Sequence, residues 1–149
     1  MKRRTSGTSL FLMELIISIM FFSVACAVCV QSFVTSKILD DRTRELNASV
    51  NIAQGLCDAM RGTDGSIYGI TAVYRGAVIG EDDSYFQLYF DKHFKSVGPM
   101  DQSAVYVCDV SLEDEPGSSI EKMNVVITDL KEFKEIYSLS ATKYLPDAY

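Results

Sequence analysis

Glu14 is the residue whose position most demands a chemical reason. It is the only charge in the apolar run Leu10–Val34, LFLMELIISIMFFSVACAVCVQSFV. A lone carboxylate at a bilayer centre costs about 2.5–3.5 kcal/mol on insertion scales, less near the interface, and it marks a functional position by default. Other residues able to do chemistry are four cysteines, one histidine and two acidic triplets. Cys26 and Cys29 fall inside the apolar run, where thiols behave as small hydrophobes. Without further cysteine or histidine ligands their CxxC spacing is not a metal signal. His93, beside Lys92, reads as a surface residue at a strand end. Glu81-Asp82-Asp83 and Glu113-Asp114-Glu115 lack EF-hand spacing and read as solvated turns. Asn47-Ala48-Ser49 matches a glycosylation sequon but falls inside a predicted helix. The chain has no Gly-rich phosphate loop, no HExxH and no nucleophile elbow. No enzyme activity, metal or cofactor is expected.

The apolar run spans about 37 Å as a helix at roughly 1.5 Å per residue. That is enough to cross the ~30 Å hydrocarbon core. Lys2, Arg3 and Arg4 before it favour a cytoplasmic N-terminus, with the remainder outside. From Thr35 onward, 11 basic residues stand against 19 acidic ones, a net charge of −8. That sign argues against nucleic acid as a partner and suits a soluble head held off an anionic membrane.

Helical patterning continues past Val34. Leu39, Leu46, Val50, Ala53, Cys57 and Met60 form a stripe on one helix face. Gly62 and Asp64-Gly65 are a credible stop, so one helix is predicted from about Leu10 to Arg61. The stretch 63–80 reads as a short helix or a loop packed by Ile67, Ile70 and Val73. From Ser84 the period becomes two, with Phe86, Leu88 and Phe90 on one strand face. Further strands are predicted around Ala104–Leu112, Met123–Ile127 and Tyr137–Ala141, linked by the turn-rich 113–119 and by a charged hairpin at Asp129–Lys134. The fold expected is α+β: a long N-terminal helix, transmembrane then amphipathic, packed on a four-stranded antiparallel meander at about 84–143. Packing helix on sheet can bring Cys57 and Cys108 together, and two readings stand, a disulfide or two buried thiols. A bridge closing about 50 residues would stabilise by ~4 kcal/mol in the chain-entropy model.

Three readings of the N-terminus compete. Ala25-Cys26-Ala27 resembles a signal-peptidase site, which would release a secreted domain. The run also serves as an uncleaved signal anchor for a binding module that never polymerises. Thirdly, Ser9-Leu10-Phe11-Leu12-Met13-Glu14-Leu15-Ile16-Ile17, preceded by Lys-Arg-Arg and Gly7, resembles the N-terminus of type IV pilins and type II secretion pseudopilins. The resemblance is best to the divergent pilin-like proteins of Gram-positive bacteria. It implies a basic leader at 1–9, a transmembrane helix at 10–34 and an extracytoplasmic pilin-like head at 35–149.

The resemblance also implies roles. A prepilin peptidase would cut after a small residue, and the family carboxylate stands five residues after the cut. A cut after Gly7 makes Thr8 the new N-terminus and Glu14 the seventh residue. A cut after Ser9 starts the chain at Leu10 and makes Glu14 the fifth, with serine replacing the usual glycine. Gly7 is slightly favoured because the family's enzyme prefers glycine. Glu14 would pair with the free α-amine of an adjacent subunit and set the axial register of a filament. The partners implied are other pilin subunits, the membrane and the peptidase. The function implied is that of a structural subunit, a minor pseudopilin of a pilus, competence pseudopilus or secretion-type filament.

Overall fold

The computed structural model describes residues 7–114 and 119–144. The basic Lys2–Arg4 cluster and Glu115 lie outside them. Helix α1 runs from Gly7 to Gly62. No proline interrupts it, and Gly65, three residues past its end, takes a φ of +91°. The Thr63 backbone N–H and hydroxyl both donate to the Ala59 carbonyl, at 3.0 and 2.8 Å, closing the last turn. Helix α2, Ile67–Val73, resolves the ambiguous stretch as a short helix. Ser66 caps it by accepting from the Gly69 N–H at 3.0 Å, as an N-cap serine does. Ile67 and Ile70 are buried, but Val73 is exposed.

The chain divides into two compact units at Thr43/Arg44, inside α1. The second unit carries an antiparallel sheet of six strands rather than four. The long ones are β2 (Tyr85–Phe90), β4 (Tyr106–Asp114), β5 (Ile120–Asp129) and β6 (Lys134–Tyr144), successive neighbours in a meander. Two short strands, β1 (Val78–Ile79) and β3 (Ser96–Val97), pair end to end on the free edge of β2. Two residues carry no readable period, so pattern reasoning could not find them. A bulge at Ile127/Thr128 shifts the β5–β6 register.

Phe86, Leu88, Val110, Met123, Val125 and Ile127 form the buried sheet face, packed with Ala53, Leu56 and Met60 of α1. The expected helix stripe needs correction. Leu39 is 64% and Leu46 44% exposed, and burial begins at Ser49. Leu56, off the predicted stripe, is fully buried. The sheet meets α1 only from Glu45 onward, where the Tyr106 hydroxyl reaches the helix. Apolar residues before that point continue the helical period without a surface to cover.

Candidate functional site

Every residue of α1 from Gly7 to Arg44 is exposed. Phe11, Ile16 and Phe21 are 64%, 65% and 68% exposed, and at 3.6 residues per turn they point to three different sides of the helix. Burying one such side chain is worth about 1.5–3 kcal/mol, so this surface requires a cover. A helix apolar on all sides is buried within lipid or within a larger assembly. One helix near the N-terminus is long and apolar enough to cross a membrane.

Three hydroxyls in and just after this run are satisfied within the helix. The hydroxyls of Ser23, Ser32 and Thr35 donate to the carbonyls of Ile19, Val28 and Gln31, at 2.9, 2.9 and 3.0 Å. Each bonds one turn back, which satisfies the hydroxyl without water. Glu14 has no such device. It is exposed, and among the described residues nothing pairs with it. Gly7, Thr8, Ser9 and Leu10 form the first turn of α1 and are exposed. The first N–H groups of a helix have no partner within it, so fraying this turn to present either candidate scissile bond costs little.

The other candidate residues lie in the second unit. Cys57 and Cys108 are both buried in the core between α1 and the sheet, and both are free thiols. Burial pushes both thiols up, Cys108 to about 12. The sequon hydroxyl of Ser49 is fully buried, out of reach of a glycosylating enzyme. His93 is exposed in the turn after β2, where its backbone N–H donates to Asp91 Oδ1 at 2.8 Å. Asp83, at φ +52°, accepts from the Tyr68 hydroxyl at 2.9 Å. Among the described residues no group of three or more His, Cys, Asp or Glu is placed to hold a metal.

No family model, curated protein or solved structure matches this chain. The physical features of the helix and head therefore carry the functional reading.

Three contacts that the sequence does not announce hold the helix within the second unit, two of them to the sheet and one to the end of α2. The Tyr106 hydroxyl donates to Glu45 Oε1 at 3.0 Å, and its ring stacks on Phe94 with centroids 4.3 Å apart. Burial, then the Glu45 contact, pushes the Tyr106 hydroxyl well above its usual range. At the other end Lys143 of β6 donates to the Met60 carbonyl at 2.8 Å and to the Thr63 carbonyl. Tyr74 lies over Gly55, where a Cβ would stand 2.5 Å from the tyrosine hydroxyl. The first two join residues more than sixty positions apart, and no local spacing announces them.

Proposed function

We propose that this protein is a pilin-like structural subunit, anchored through Leu10–Val34 and assembling by packing of that helix, with the sheet unit outside the membrane. The observation that carries the reading is a single helix with two different jobs. Its first half is exposed and apolar on all sides, with one carboxylate. Its last turns are buried under an antiparallel sheet. The resemblance of Ser9–Ile17 to pilin N-termini supports the same reading. In it Glu14 accepts the α-amine of a neighbouring subunit, exchanging an unpaired carboxylate in apolar surroundings for an ion pair. Small residues at Ser23, Ala25 and Ala27 permit close approach of helices. The work is assembly, with no catalytic step.

Expression of the Glu14→Gln and Glu14→Ala variants beside the parent chain tests this. Both variants should insert in the membrane as the parent does and fail to enter sedimentable filaments. Filaments formed equally well by Glu14→Ala would remove the carboxylate from the mechanism. A chain that stays monomeric in the membrane whatever residue 14 is would favour the anchored binding module.

A further inference from the structure

We draw no further inference here: the strongest candidate, the outer edge of β6, which has no pairing strand among the described residues and carries no charge, glycine or proline over residues 136–142, is an unpartnered edge, and nothing in the structure shows what covers it.

Discussion

Replacing Lys143 with methionine tests how the head is locked to its helix. The Lys143 ammonium donates to the carbonyls of Met60 and Thr63, at a helix end where carbonyls lack partners and where the helix dipole favours a cation. It links β6 directly to the end of α1. Hydrogen bonds to charged groups contribute about 1.5–3 kcal/mol each at most. Lys143 is only half-buried, so water replaces part of what is lost, while methionine keeps most of the stem's packing. The expected loss is about 2 kcal/mol for the pair. At about 4–8 °C per kcal/mol for a domain of this size, the melting point falls by roughly 10 °C. Thermal and urea unfolding of the full chain in mild detergent, followed by near-ultraviolet circular dichroism, reads this directly. Lys92→Met, in an exposed turn, is the control and should stay within about 0.5 kcal/mol of the parent. If Lys143→Met and Lys92→Met melt together, the lysine cap contributes nothing.

Other outcomes follow from the same packing. Ser49 is fully buried and its hydroxyl has no partner among the described residues, so Ser49→Ala should stabilise by about 1 kcal/mol; a loss in urea unfolding would mean the hydroxyl is bonded. Gly55→Ala gains up to about 1 kcal/mol in helix propensity but drives a Cβ into the Tyr74 hydroxyl; it should destabilise the parent and stabilise a Tyr74→Phe background, and equal effects in both would refute the contact. Cys108 is held protonated up to about pH 12 by burial, whereas its ordinary pKa is 9.0. Below pH 9 the folded and unfolded thiols are alike; above it only the unfolded thiol ionises, so stability falls as pH rises from 9 towards 12. Cys108→Val should flatten that decline in pH-dependent melting, and an unchanged slope would remove Cys108 from it. Cys57 and Cys108 should resist a thiol reagent until the head unfolds and then react without reductant; a need for reductant would mean they are bridged.

The apolar run, the long helix and the four long strands were legible because each repeats a period over many residues. Phe86, Leu88 and Phe90, and Met123, Val125 and Ile127, fall on the buried face as their alternation requires. Leu39 and Leu46 keep the period of a packed face, but Leu39 precedes the part of the helix that the sheet meets and Leu46, just inside it, is still 44% exposed. Leu56 lies beside a narrow stripe and is buried all the same, because a helix under a sheet buries a wider arc. Of the candidate site, the membrane-length run and Glu14 were evident from composition alone. The tethers by Tyr106 and Lys143 depend on which strand ends meet which part of the helix. That is a property of topology, invisible to any local window.

The mature N-terminus tests the central claim most directly. Intact-mass measurement and N-terminal sequencing of the full chain, recovered from cells carrying a prepilin peptidase, identify the first residue. A chain beginning at Thr8 or Leu10 is the predicted result, because a filament subunit needs a free α-amine within reach of a neighbour's Glu14. A chain beginning at Val28 would make this an ordinary secreted domain, and one beginning at Met1 a plain membrane anchor; either result contradicts the pilin-like reading.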